Sequence, residues 1–216
     1  MFSAESPPER KSPGECQPQG HDFRFDPNGR EYRYFLGELG LPSPSSLFKE
    51  FGMVDISHFK NHHRDRGHAV HAACHFWDDD DLEESTIGPA IAGYLKAWGR
   101  FRRETGFKPE NSLSEKPMVS RLHNFGTTPD RCGTLNDSVA VIEIKSGGIH
   151  ETTGRQLASH RIVLQENYGI IPVVSMAVGL KADGKYELKD FTETMAIDHD
   201  NFLALVSTHW QKRTGG

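Results

Sequence analysis

The chain has 216 residues, 36% of them hydrophobic, and a formal net charge of −5. That length suits one domain with a real core, or one domain plus arms, and the modest apolar content points to exposed tails rather than a second core. No apolar run is long enough to cross a bilayer and the N-terminal residues lack a hydrophobic leader segment, so a membrane protein is not expected and an intracellular one is.

Cys16, Cys74 and Cys132 are odd in number and scattered. This argues against a disulfide framework and against a four-cysteine iron–sulfur cluster. The net charge speaks against nucleic-acid binding, but its distribution speaks for it. Residues Gly93 to Gln165 hold eleven Lys or Arg against seven Asp or Glu, while Asp78 to Glu84 gathers acids into what reads as a solvated turn.

In chain order, residues 1–21 are rich in Pro, Ser, Glu and Gly and are expected to be disordered. The remainder, 22–216, reads as a single domain. Phe23, Phe25, Tyr32 and Tyr34 around Asp26-Pro-Asn-Gly29 suit a hairpin. Ser43 to Phe51 suits a short helix capped by Ser43 or Ser45. Helices are predicted over Arg66–Trp77 and Ile87–Thr105, the second on the spacing of Ile87, Ile91, Tyr94, Leu95, Trp98 and Phe101. Lys96, Arg100, Arg102 and Arg103 lie mostly off that stripe, as solvated charges or phosphate contacts. Strands are predicted over Leu113–Leu122, over His123–Thr128 with a continuation through Cys132, and over Val139–Lys145. A helix over Thr152–Asn167, strands over Ile170–Val178 and Lys185–Asp190, and a helix over Asp198–Lys212 complete the chain. The order gives an α/β or α+β domain built on a mixed sheet flanked by helices.

The densest chemistry lies between Thr128 and Lys145. Asp130 opens the segment, and Glu143 and Lys145 follow on an apolar strand. A strand repeats every two residues, so Glu143 and Lys145 share one side while Ile142 and Ile144 take the other. Two acids and a cation at one spot suit a divalent metal and a water nucleophile, the equipment for cutting a phosphodiester. Upstream, His62, His63, His68, His71, Cys74 and His75 crowd together. The i, i+4 pair His71/His75 fits zinc, but no second ligand pair at conventional spacing accompanies it.

Pro129-Asp130 followed by Glu143-Ile144-Lys145 resembles the PD-(D/E)xK nuclease superfamily. Three further stretches are similar to its RecB-like and phage-type exonuclease branch: Arg66-Gly-His-Ala-Val-His71, Gly154-Arg-Gln-Leu-Ala158, and Leu41-Pro-Ser-Pro-Ser-Ser-Leu-Phe-Lys-Glu-Phe-Gly52. The resemblance runs from about Phe23 to the last helix. It implies a restriction-endonuclease-like core with N-terminal helical additions. It also implies an Mg²⁺- or Mn²⁺-dependent deoxyribonuclease, an exonuclease of DNA recombination, repair or phage replication.

On that resemblance His71, Asp130, Glu143 and the carbonyl of Ile144 would hold the metal. Lys145 would sit beside the attacking water, and Gln156 would face the site or the DNA. Where the family commonly has Q-x-x-x-Y, this chain has Gln156 and His160. Glu115 matches an acidic position of the family, as an outer carboxylate; a solvent-facing strand residue is the other reading. Arg131 would touch phosphate or pair with a nearby acid. The implied partner is DNA, at ends or single-stranded regions, with room for a recombination partner protein and a homo-oligomer, in the cytoplasm of a bacterial cell or phage-infected host. The competing classes are a catalytically silent nucleic-acid- or protein-binding member and a structural zinc protein using Cys74 and His71.

Overall fold

The computed structural model describes residues 20, 22–29, 33–54 and 61–215; the side chains of residues 61–64 and 84 are outside that description. The expected N-terminal tail, Gly20 apart, and Cys16 lie outside the described residues. So do the side chains of His62 and His63.

Strands β1 (Phe23–Phe25), β2 (Tyr34–Leu36) and β3 (Leu39–Leu41) form a small antiparallel sheet. The expected hairpin is there, with a third strand added; Tyr32 lies outside the described residues. Its turn closes locally: the Asn28 N–H donates to Asp26 Oδ1 at 2.9 Å and the Asp26 N–H to the Arg33 carbonyl at 2.8 Å. Helix α1 (Pro44–Glu50) starts at a capping box, with Ser43 and Ser46 exchanging side-chain-to-backbone bonds.

Helix α2 (Asn61–Asp78) begins five residues before the predicted start, so Gly67 sits inside it. A Cβ on Gly67 would stand 3.7 Å from Ser146 Oγ, the measure of how near α2 lies to the loop after the lysine strand. Helix α3 (Pro89–Thr105) buries Tyr94, Leu95, Trp98 and Phe101 and ends at Gly106, whose φ of 70° places it in the left-handed region.

The main sheet has five strands in the order β10 (Tyr186–Asp190), β9 (Val174–Leu180), β8 (Ser138–Lys145), β7 (Arg131–Leu135), β4 (Lys108–Pro109). Only β8 and β9 are parallel; the other neighbours are antiparallel. Parallel pairing of consecutive strands needs a crossover, and helix α4 (Thr152–Tyr168) supplies it. Helix α5 (Met195–Thr214) packs beside α4.

Other expected boundaries move as well, and the strand expected over Leu113–Leu122 shortens to Met118–Ser120. Strands β5 (Met118–Ser120) and β6 (Phe125–Thr127) pair with each other as a separate ribbon, and β6 does not continue into β7. Thr128-Pro129-Asp130 breaks the run, since Pro129 offers no N–H to a ladder. Strand β9 begins four residues later than predicted, after Pro172.

Alternation along β8 splits the core. Val141 faces α4 and α5, in a cluster with Leu157, Val163, Ala177 and Phe202. Ala140, Ile142 and Ile144 face α2 and α3, in a cluster with Trp98, Phe101 and Val178. The described residues thus form a mixed α/β domain with five α-helices around a mixed sheet. Among the described residues no helix is long and apolar enough to cross a membrane.

Candidate metal-binding site

The site lies at the C-terminal end of β8, where the end of the central strand, the start of β7 and helix α2 converge. Register decides which residues meet. Arg131 pairs with Ile142, which leaves Asp130 just beyond the ladder and level with Glu143. Asp130 Oδ2 accepts the Ile144 N–H at 2.7 Å. In a strand the N–H and C=O of one residue leave by the same edge, so the Ile144 carbonyl lies on the Asp130 side as well.

Across from Asp130, α2 presents His71, whose Nδ1 lies 3.3 Å from Asp130 Oδ1 and 3.6 Å from Glu115 Oε1. His71, Glu115 and Asp130 each offer one ligand atom, all within 4.8 Å of one another. Glu143 stands apart from that trio. Its Oε1 accepts from Lys145 Nζ at 2.8 Å, and its Oε2 is buried without a hydrogen-bond partner. Lys145 Nζ also donates to Gln156 Oε1 on α4, at 2.9 Å.

Burial and neighbouring charge push the site's groups apart. Burial works against the charge on Asp130, but His71 and then Lys145 outweigh it and hold the carboxyl well below its ordinary range. For Glu143 burial dominates, the Asp130 charge adds to it, and the carboxyl is pushed up to about 8 despite Lys145. His71 is disfavoured as a cation by burial, yet Asp130 and Glu115 raise it to about 10. Lys145 is likewise opposed by burial and raised overall by Glu143 and Asp130.

Glu115 is the residue the pattern places least well. The sequence reading puts it on a strand, whereas it stands in the turn after a single helical turn at Asn111–Leu113, with φ of 53°. A left-handed glutamate is uncommon and costs about 1–2 kcal/mol. Its N–H is tied to the Pro129 carbonyl at 2.8 Å, which brings it beside Asp130.

Arg131 settles the choice between phosphate and acid: it is fully buried and pairs with acids. Its Nε donates to Asp78 Oδ2 at 2.6 Å and its Nη1 to Glu115 Oε1 at 3.0 Å. Asp78 therefore does not belong to a solvated turn. Its Oδ1 accepts from Trp98 Nε1 at 2.9 Å and from Arg102 Nη1 at 2.7 Å, and its carboxylate is buried. His68 is exposed, and His75 pairs with Asp79 one turn on. Cys74 is buried, its thiol pushed up by that burial, and it is not part of the His71–Glu115–Asp130 group. The His/Cys zinc reading thus finds no support among the described residues.

A scan against protein-family models finds no match, and a search of curated proteins finds none. Among solved structures the chain is similar to one described as LHK-Exo in complex with dAMP, at 15% identity, over 81% of this chain and 93% of that chain, with a TM-score of 0.36.

Proposed function

We propose that this protein is a metal-dependent deoxyribonuclease, an exonuclease that hydrolyses phosphodiester bonds in DNA recombination, repair or phage replication. The observation that carries this reading is the meeting of His71, Glu115 and Asp130 within 4.8 Å at the end of the strand that bears Glu143 and Lys145.

The donor set fits a hard divalent cation. Asp130, Glu115 and Glu143 offer carboxylate oxygens, the Ile144 carbonyl a fourth oxygen, and His71 an imidazole, which Mn²⁺ accepts more readily than Mg²⁺. Glu143 Oε2 is buried without a hydrogen bond, so its lone pairs are open both to a cation and to a neighbouring donor. When bound, Mg²⁺ or Mn²⁺ neutralises phosphate charge and acidifies water.

The chain's own groups do the rest. Lys145 is held by Glu143 and Gln156, and its raised pKa keeps it an ammonium. It stabilises the negative charge that develops on the phosphoryl oxygens, and it does not act as the base. Gln156 fixes the direction of that ammonium. Arg131 holds Glu115 from behind and does not reach the substrate.

The test is digestion of end-labelled linear, nicked and closed-circular DNA with Mg²⁺ or Mn²⁺. Linear DNA should be degraded and the closed circle spared. EDTA should stop the reaction, and Lys145→Ala should lower the rate by about 10²–10³-fold. Undiminished cutting by folded Lys145→Ala protein would refute the assignment, and cutting of the closed circle would make the enzyme an endonuclease.

A further inference from the structure

Strand β8 and helix α4 meet in a ring of side chains with one open link. Glu143 and Lys145, two residues apart on a strand, are separated by about 6.6 Å of rise. Gln156 and His160, four apart on a helix, are separated by about 6 Å. The steps match, in opposite chain directions. Gln156 Oε1 accepts from Lys145 Nζ, Lys145 Nζ donates to Glu143 Oε1, and Glu143 Oε2 faces His160 Nδ1 at 3.5 Å.

That last link joins groups that otherwise have no partner. Glu143 Oε2 and both ring nitrogens of His160 are buried without hydrogen bonds, and His160 is 0% exposed. Leaving a buried polar group unpaired is costly, because its lost hydration is not replaced. Nearby α4 positions carry Leu157, Ala158 and Ile162, the residues a purely structural role would favour.

We propose that His160 is a positioning residue, whose Nδ1 engages Glu143 Oε2 and fixes the direction in which that carboxylate is presented to a divalent cation. This deepens the nuclease reading and rests on it. Gln156 and His160 then act as a pair: one sets the ammonium, the other the carboxylate.

The experiment measures Mn²⁺ affinity by calorimetry, thermal unfolding in EDTA, and DNA cleavage. His160→Phe removes the unpaired nitrogens, so its metal-free Tm should match or exceed that of the unsubstituted protein. Its Mn²⁺ affinity should fall by about 10–100-fold, the usual loss when a ligand's supporting partner is removed. His160→Asn, whose amide can donate from near the Nδ1 position, should recover most of the affinity. If Phe overfills the site, His160→Leu replaces it; if neither folds, His160→Gln, whose amide nitrogen reaches the Nε2 rather than the Nδ1 position, should show the same loss, and unchanged affinity in it overturns the proposal.

Mn²⁺ affinity unchanged in a folded Phe or Leu variant overturns the proposal, as does a His160→Asn protein as weak as the apolar variants. An unsubstituted protein that binds Mn²⁺ and cuts DNA, beside a variant that does both equally well, defeats the positioning role alone. An unsubstituted protein with no Mn²⁺ affinity defeats the nuclease reading with it.

Discussion

Asp130 and Glu143 stand level with each other at the end of two paired strands, yet their environments drive them in opposite directions. Asp130 faces the His71 cation and stays ionised, while Glu143 lies deeper, next to an existing negative charge, and resists ionisation. In the metal-free protein this makes stability depend on pH from both sides. His71 is raised from its ordinary 6.5 to about 10, so its contribution is complete below about pH 6.5 and is lost as pH rises through 10. Glu143 adds a loss between its ordinary value and about 8, and Asp130, being lowered, loses its contribution only in acid. Urea unfolding in EDTA should therefore show falling stability from pH 7 to pH 10. His71→Asn should flatten the upper part of that fall, by up to about 1.4 kcal/mol per pH unit for the proton involved. An equal slope in the two proteins would mean that His71 is not charged in the folded site. At this scale the sequence names residues that do meet, because alternation along a strand and one turn of helix are fixed spacings. Glu115 escapes that logic: its placement comes from a left-handed turn bonded to Pro129, which no periodicity announces.

Between elements, the decisive joint is Asp78. It ends α2 and receives Trp98 and Arg102 from α3 and Arg131 from β7, while its backbone carbonyl accepts from the Asn111 side chain at 2.9 Å. Four separate segments are thereby locked in one arrangement behind Glu115. Removing one member of a buried ion pair leaves the other charge uncompensated, typically at about 3–5 kcal/mol. Arg131→Met should cost that much in urea unfolding and should also loosen Glu115, weakening Mn²⁺ binding. Arg100→Ala breaks the exposed Arg100–Glu104 pair and a 6.0 Å contact with the Tyr186 ring, and should move the unfolding midpoint far less. If Arg131→Met unfolds at the same midpoint as the parent, the joint does not hold these elements together. Nothing local marked Asp78 for this role, since it opens a run of four aspartates and its main partner lies 53 residues away. Helix α3 is legible because its apolar stripe repeats with the helical period. The break between β6 and β7 is less so, because Phe125 to Cys132 reads as one extended run apart from Pro129.

For the molecule as a whole, a site assembled from α2, β7, β8 and the turn before β5 joins segments far apart in the chain, so the folded state alone can present it. A ligand that binds only the folded state raises stability by mass action. If the acidic pocket takes Mn²⁺, a concentration about 100 times the dissociation constant should add about 2.7 kcal/mol. For a domain of this size each kcal/mol moves Tm by about 2–4 °C, so the rise should be about 5–10 °C and EDTA should reverse it. The variants divide the site by role. Asp130→Asn removes a carboxylate from the centre of the cluster and should abolish most of the rise. Lys145→Ala removes the ammonium but no ligand, so it should keep the rise while losing cleavage. Against burial, Asp130 and Glu115 raise the His71 pKa to about 10, so ligation by His71 must displace a proton, and the Tm rise at fixed Mn²⁺ should grow from pH 6 to pH 8. Scanning calorimetry of the three proteins across that range separates binding from chemistry. A Tm indifferent to Mn²⁺ at every pH would leave the carboxylates of Asp130, Glu115 and Glu143 as parts of an ion-pair network and nothing more.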